Sequence, residues 1–450
     1  MEGSTLLLIN LLVAIIIILV SILVFKWNPV VALVCGSLYM GLASGMNLLE
    51  TVTQITKGFG DLMAAIGLSI GFGVIIGQLL FDSGGARSIA TSMVRAFPGN
   101  RALYGIGYTA FLFSIPVFFD VTFVILIPLA LALVREIKKP LPYAVGAMVI
   151  GAAAAHTMVP PTPNPLAAAD IFGFDLGIMI LVGLVMGLLG ASLAMKILFK
   201  ILDSGFWNKE KDETHEILQV EEVEHPHTPG AGLSVIPIIA PVILILVGTF
   251  YQAFSDVVPD VIKFLSHKVI AMLTGTIIAY LIASRYMKGK EMGRSAQKAM
   301  ESAGLVLLIT GAGGAFGAVI QQTGIGTLLA EGLGTSSNSR LWALLITYGT
   351  GMIFRISQGS GTVAAITTMT IMASANLPQT VDMHPVWIAL AALSGGISFG
   401  HINDSGFWVT VNLSGFSVTG GLKIYTLGIF FVSAIVFGLA ILGGLFIPNF

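Results

Sequence analysis

The chain has 450 residues, of which 10% are charged and 56% hydrophobic, with a mean hydropathy of +0.93. A soluble domain is about 25% charged, so this composition excludes one and places the chain in a bilayer. The net charge of −1 offers no footprint for nucleic acid, and a single cysteine, Cys35, excludes an internal disulfide.

In chain order, apolar runs predict spanning helices over 5–25, 29–46, 60–81, 141–170, 175–200, 233–253, 268–284, 301–321, 385–414 and 423–446. Each is near or above the roughly 20 residues that a crossing needs. The first carries Glu2, no basic residue and no small-residue cleavage site, so it reads as a span rather than a signal peptide. Two further stretches, 103–134 and 341–375, are too long for one crossing and polar at their middles; they read as re-entrant hairpins.

Two of the spans are interrupted. Four prolines fall in 160–165 of His156-Thr-Met-Val-Pro-Pro-Thr-Pro-Asn-Pro165, and a helix cannot run through them, since each lacks an N–H and collides with the preceding turn. A second polar interruption is Gly400-His-Ile-Asn-Asp-Ser-Gly-Phe-Trp408. In lipid the freed backbone groups survive only against protein or a wet cavity. Two such breaks, each led by a histidine, are expected to face one polar site at mid-membrane, as in secondary transporters.

Shifting the sequence by 240 lays Gly71, Gly73, Gly77 and Gly84 on Gly311, Gly313, Gly317 and Gly324. Asp61 falls on Glu301, Asp120 on Ser360 and Thr122 on Thr362, and a five-residue insertion brings His156 onto His401. The ordered series points to a duplicated unit. With the N-terminus outside, 17 of 22 Lys and Arg residues lie inside, leaving Lys57, Lys263, Lys268 and Arg340 outside and Arg355 in the membrane. That threading puts the hairpins on opposite sides. The expected fold is an all-α polytopic membrane protein of two inverted-topology repeats, about ten spanning helices (two of them broken) and two re-entrant hairpins. The N-terminal repeat is 1–202 with its hairpin at 103–135, and the C-terminal repeat is 233–450 with its hairpin at 341–375. Between them, 203–232 reads as a solvated cytoplasmic linker, with eight acids against two lysines in 203–230. Its His215, His225 and His227 lack metal-ligand spacing, so no metal site and no cofactor are expected. Asp-Ser-Gly-Phe-Trp occurs at both 203–207 and 404–408, but its offset of 201 does not fit the repeat and reads as coincidence.

The hairpins turn at Phe113-Ser-Ile-Pro-Val-Phe-Phe-Asp-Val-Thr122 and Phe354-Arg-Ile-Ser-Gln-Gly-Ser-Gly-Thr362. Unpaired N–H groups at half-helix starts suit an anionic or polar ligand, although the glycines also serve tight packing. Asp120, at mid-bilayer, must be paired, hydrated or protonated; it is either a proton carrier or half of a structural ion pair. Arg355 either captures an anionic substrate or neutralises Asp120 or Asp404. His156 and His401 either relay protons or donate to freed carbonyls. Asn164, Asn403, Asp404 and Ser405 put amide, carboxylate and hydroxyl groups on the breaks, suited to a polyhydroxylated ligand. Asp61 and Glu301 sit at span starts and read as helix-start stabilisers. Gly311-Ala-Gly-Gly-Ala-Phe-Gly317 lies in a span without a preceding strand, so helix packing explains it better than a dinucleotide loop.

Four segments resemble the gluconate permease family, proton-coupled symporters of bacterial inner membranes. They are Phe118-Phe-Asp-Val-Thr-Phe-Val-Ile-Leu-Ile-Pro128, His156 with Pro160-Pro-Thr-Pro-Asn-Pro165, Arg355-Ile-Ser-Gln-Gly-Ser-Gly-Thr-Val-Ala-Ala-Ile-Thr367 and His401-Ile-Asn-Asp-Ser-Gly-Phe-Trp408. The resemblance covers essentially the whole chain. It implies the fold of the wider ion-transporter superfamily, often a homodimer, and an elevator mechanism. Thr162 and Asn164 stand where relatives more often have histidine and glycine, and Asp120 where they have glutamate. Gly359-Ser-Gly-Thr362 replaces Gly-Ser-Ala-Thr. These departures bear on which hydroxylated carboxylate is carried, and relatives also carry D-serine and other sugar acids.

The expectation is therefore a multi-pass inner-membrane transporter, not an enzyme, that takes up a small anionic substrate such as a gluconate-like sugar acid with protons. Asp120, Thr122, Thr162, Asn164, Arg355, Ser357, Ser360, Thr362, Asn403 and Asp404 would bind substrate, and Asp120, His156 and His401 would couple protons. Sodium is the alternative coupling ion, held by oxygens of Ser357, Ser360, Thr362 and Asn403. An intramembrane hydrolase built on Ser360 with His401 or Asp404 lacks a nucleophile elbow, and a channel would not saturate at low substrate.

Overall fold

The computed structural model describes residues 2–116, 119–214, 227–255, 257–323, 339–402 and 404–449, and these are helical nearly throughout. The first half contains α1 (Glu2–Leu23), α2 (Pro29–Ala43), α3 (Leu48–Asp82), α4 (Gly85–Arg95), α5 (Ala102–Phe113), α6 (Phe119–Glu136), α7 (Leu141–Met158), α8 (Pro163–Phe172) and α9 (Leu176–Asp203). The second contains α10 (Ala231–Phe254), α11 (Asp260–Ser266), α12 (Lys268–Ala283), α13 (Gly289–Gln322), α14 (Ser339–Gln358), α15 (Gly361–Ser374), α16 (Pro385–Ile397), α17 (Ser405–Ser414) and α18 (Leu427–Phe446), the last entered through a π-helical turn, Leu422–Thr426.

Among the described residues, five helical segments are long and apolar enough to cross a membrane: Leu48–Asp82, Leu141–Phe172, Leu176–Asp203, Ala231–Phe254 and Val418–Phe446. A sixth is the pair Asp260–Ser266 and Lys268–Ala283, bent by 63°. The remaining predicted spans fall on shorter apolar helices, among them Pro29–Ala43, Leu307–Gln322 and Pro385–Ile397. The count of ten crossings is thus not reached on length and composition alone. Helix α3 has 35 residues, about 50 Å at 1.5 Å each, and outruns the predicted 60–81 because its helix continues past the apolar run into polar surroundings.

The breaks follow from local chemistry. Helix α7 ends at Met158, and after 159–162 the chain restarts with Thr162 as N-cap and Pro163 in the first turn, where a missing N–H costs nothing. Helix α16 ends at Ile397, and α17 restarts with the Asp404 side chain accepting from the Gly406 N–H. Both restarted pieces have 10 residues and end on a left-handed glycine, Gly173 (φ 68°) and Gly415 (φ 66°).

Packing repeats between the halves. A Cβ on Gly151 of α7 would overlap the carbonyl oxygen of Gly107 on α5; in the second half, one on Gly351 of α14 would come within 3.0 Å of the Gly395 carbonyl carbon on α16. Tyr108 and Ser192 hydroxyls bond at 2.9 Å, and Tyr348 and Ser433 at 3.0 Å. The long helices α3 and α13 meet back to back: a Cβ on Gly314 would stand 2.6 Å from the Gly58 carbonyl oxygen, while Gly71 faces Met300. Rising numbers on one helix meet falling numbers on the other, so the two run antiparallel. Gly151→Ala drives a methyl into backbone that cannot give way, an overpacking penalty of about 1–3 kcal/mol. Thermal unfolding in detergent should register that loss, whereas Gly438→Ala, with nothing within 4 Å, should leave the midpoint in place.

The bundle's two ends carry separate polar contacts. At one, the Tyr143 hydroxyl donates to Asp203 at 2.7 Å, with Lys139 at 3.7 Å, and Lys423 pairs with Asp212 at 2.7 Å. At the other, Lys268 pairs with Asp170, Arg340 with Asp382 at 3.1 Å, and the His384 N–H donates to Pro448 at 2.7 Å. After α9 most of 203–214 is exposed, but two of its side chains are drawn in. The Trp207 ring packs tilted against Phe416, centroids 4.7 Å apart, and Asp212 is fully buried. His215 and His225 lie outside the described residues.

Candidate functional site

The second hairpin, α14–α15, turns at Gly359, whose φ of 77° only glycine adopts freely. One turn earlier the Arg355 guanidinium donates to the Gly359 carbonyl and to Oδ2 of Asp404, tying the hairpin tip to the second helix break. Asp404 uses its other oxygen, Oδ1, to accept from the Gly406 N–H at 3.0 Å. Tyr425, from the π-helical turn, donates its hydroxyl to Oδ2 as well. One carboxylate thus gathers a guanidinium, a phenol and a backbone N–H, the donor set that makes a buried charge tolerable.

The first hairpin reaches the same place from its own side. The Phe119 ring stands edge-on to Tyr425 at 5.7 Å, and a Cβ on Gly406 would meet Phe119 at 3.2 Å. Asp120 follows Phe119 in α6; of Asp120 and Ser357 only the backbone is described, and Asn403 lies outside the described residues. The cluster is closed, with side-chain exposures of 5% for Arg355 and 9% for Asp404, so a ligand enters only if a tip or a break moves.

Of the residues singled out from sequence, Arg355 and Asp404 are brought into contact. His401 lies beside them, its Nε2 3.2 Å from the Ile356 carbonyl and its own carbonyl accepting from the Asp404 N–H at 2.8 Å. Others serve their own elements. Thr122 accepts from Ser114 across the first hairpin at 3.0 Å, Thr162 donates back to Val159 at 2.7 Å, and Ser360 caps α15. Thr362 follows in the first turn of α15. His156 lies in the last turn of α7. Asn164 is buried in the first turn of α8, and its Oδ1 has no hydrogen-bond partner among the described residues. Tyr425 was missed: it sits at the head of a long apolar run, where a tyrosine reads as an interfacial residue, and only the fold aims it at Asp404.

Hairpin tips, interrupted helices and a buried ion pair in an all-helical membrane bundle are the parts of a permease rather than of an enzyme. A family model described as GntP family permease matches residues 6–445. The chain belongs to that family, and it is a multi-pass membrane protein. It is 34% identical over 430 residues to an uncharacterized permease of Haemophilus influenzae, covering 92% of this chain and 87% of that protein. It is 32% identical over 445 residues to the gluconate permease of Pseudomonas aeruginosa, covering 95% of each. Among solved structures, the YdaH transporter of Alcanivorax borkumensis superposes with a TM-score of 0.62 at 14% identity, over 93% of this chain and 98% of that one.

Proposed function

We propose that the chain is a proton-coupled symporter carrying a gluconate-like sugar acid, or a similar small hydroxylated carboxylate, across the bacterial inner membrane. The observation that carries this reading is the closed Arg355–Asp404–Tyr425 cluster where a hairpin tip meets a helix break. An arginine already holding one carboxylate can exchange it for that of a substrate, while Tyr425 and the Gly406 N–H remain on Asp404. Asn164 Oδ1, buried with no donor among the described residues, suits a substrate hydroxyl, and Thr122, Thr162, Ser357, Ser360, Thr362 and Asn403 would supply further polar groups. Asp120, His156 and His401 are the proposed proton carriers. The relative from Pseudomonas aeruginosa named gluconate permease supports the substrate class.

Alternating access would come from two inverted repeats, each with a re-entrant hairpin and a broken helix. Supporting this are the antiparallel α3 and α13, the matched left-handed caps, and the duplicated Tyr–Ser bonds. Counterflow in proteoliposomes across sugar acids, hydroxy acids and D-serine tests the substrate. Saturable exchange of sugar acids is expected, and exchange confined to D-serine would replace that assignment. Uptake abolished by a protonophore and spared by a sodium ionophore is expected for proton coupling; the reverse pattern would make sodium the driving ion.

A further inference from the structure

We infer that Asp212, in the segment between the halves, is a positioning residue for the transport site, holding the turn that presents Tyr425 to Asp404. The inference rests on the site proposed above. Asp212 is fully buried, and its Oδ2 accepts from Lys423 Nζ and from the Asn208 N–H, both at 2.7 Å. Lys423 also donates to the Phe206 carbonyl at 3.0 Å and lies over the Phe206 ring. The Asp212 side chain is fully enclosed while Lys423 is partly exposed, and Asp212 Oδ1 has no partner among the described residues, so the carboxylate depends on the contacts to Oδ2 and on the fixing of its backbone. Here the backbone holds it: the Ser417 N–H donates to the Asp212 carbonyl at 2.9 Å, and the Thr214 N–H to Gly415 at 2.7 Å.

These contacts close a ring. Asp404 caps the start of α17, and the docked segment grips Gly415 and Ser417 just past its end. The same segment grips Lys423, the second residue of the π-helical turn. Tyr425 comes two residues later, and residues two apart on a helix point to nearly opposite sides. The turn is therefore held from behind through Lys423 while it reaches forward through Tyr425 to Asp404. Thr426 fixes its far end by donating to the Gly400 carbonyl at 2.7 Å. Single π-turns inside helices are rare and frequently lie at functional sites, and this one is held at both ends from outside. The acid that supplies one of these supports comes from the segment after α9, so the stretch joining the halves helps to set the geometry of a site in the second.

The test uses the full-length protein with 3-fluorotyrosine at position 425, read by fluorine NMR without substrate. Asp212→Asn is expected to shift that line in the same direction as Asp404→Asn, and Lys423→Arg to keep it near its wild-type position. Glu210→Gln, which removes an exposed acid from the same turn, should not move it. Gly420→Ala provides a second route, because its Cβ would overlap the Asp212 carbonyl oxygen and lift the segment without changing a charge. In gluconate counterflow, Asp212→Asn is expected to raise KM about fivefold with little change in maximal rate, the size of a coupling between groups in one network. An unmoved line in both folded Asp212→Asn and Gly420→Ala would overturn the inference. A line that moves while gluconate is not exchanged would keep the positioning role and discard the substrate assignment.

Discussion

Arg355→Gln is expected to abolish exchange and to lower stability by about 3–5 kcal/mol, because it leaves the Asp404 carboxylate buried without its cation. The Tyr425 hydroxyl and the Gly406 N–H remain, but neither carries a charge. Arg355→Gln/Asp404→Asn separates two roles. Two neutral amides in place of two buried ions need no mutual compensation, so most of the stability should return. Exchange should not return, since the guanidinium proposed to capture the substrate carboxylate is still missing. Thermal unfolding and counterflow on the same preparations read the two effects. Wild-type exchange by the double variant would make the pair structural and move substrate capture elsewhere.

Asp120→Asn is expected to abolish accumulation driven by a pH gradient while sparing counterflow. A carboxylate at the bilayer centre costs on the order of 2.5–3.5 kcal/mol on insertion scales, a cost that a proton can relieve. Asp120 is the second residue of α6, immediately after the Phe119 ring that packs on Tyr425. From there, protonation can be felt at the tip where substrate is proposed to bind. Exchange requires no net proton movement, and accumulation does; an amide can satisfy only the first. Both modes are measurable in one batch of vesicles, and full pH-driven uptake by this variant would take Asp120 off the proton route.

Much of this arrangement was legible because lipid penalises local irregularity so heavily. Four prolines in 160–165, and the polar run from Gly400 to Asp404, had to interrupt helices, and they do so from 159 to 162 and from 398 onward. Sequence left Arg355 open to a substrate, to Asp120 or to Asp404, and it is the fold that brings it onto Asp404. What escaped depended on direction rather than on composition. The 63° bend at His267 carries no proline or glycine to announce it. Asp212 sits among acids that read as solvated, and its burial comes from a lysine 211 positions away. A fixed shift of 240 aligned Gly71 with Gly311, but the glycines in closest contact, Gly107 and Gly151, correspond to Gly351 and Gly395 at a shift of 244. The repeated Asp-Ser-Gly-Phe-Trp falls in two different settings: Asp203 ends a helix, whereas Asp404 caps the start of one.

The crossing of α3 with α13 at Gly58 and Gly314 limits how such a machine can move. Main chain rests on main chain there, and a slide of one helical turn would drive Leu62 or Ala318 into the opposite carbonyls. Those two helices behave as a welded keel, and displacement has to be taken up by whatever is hung from it.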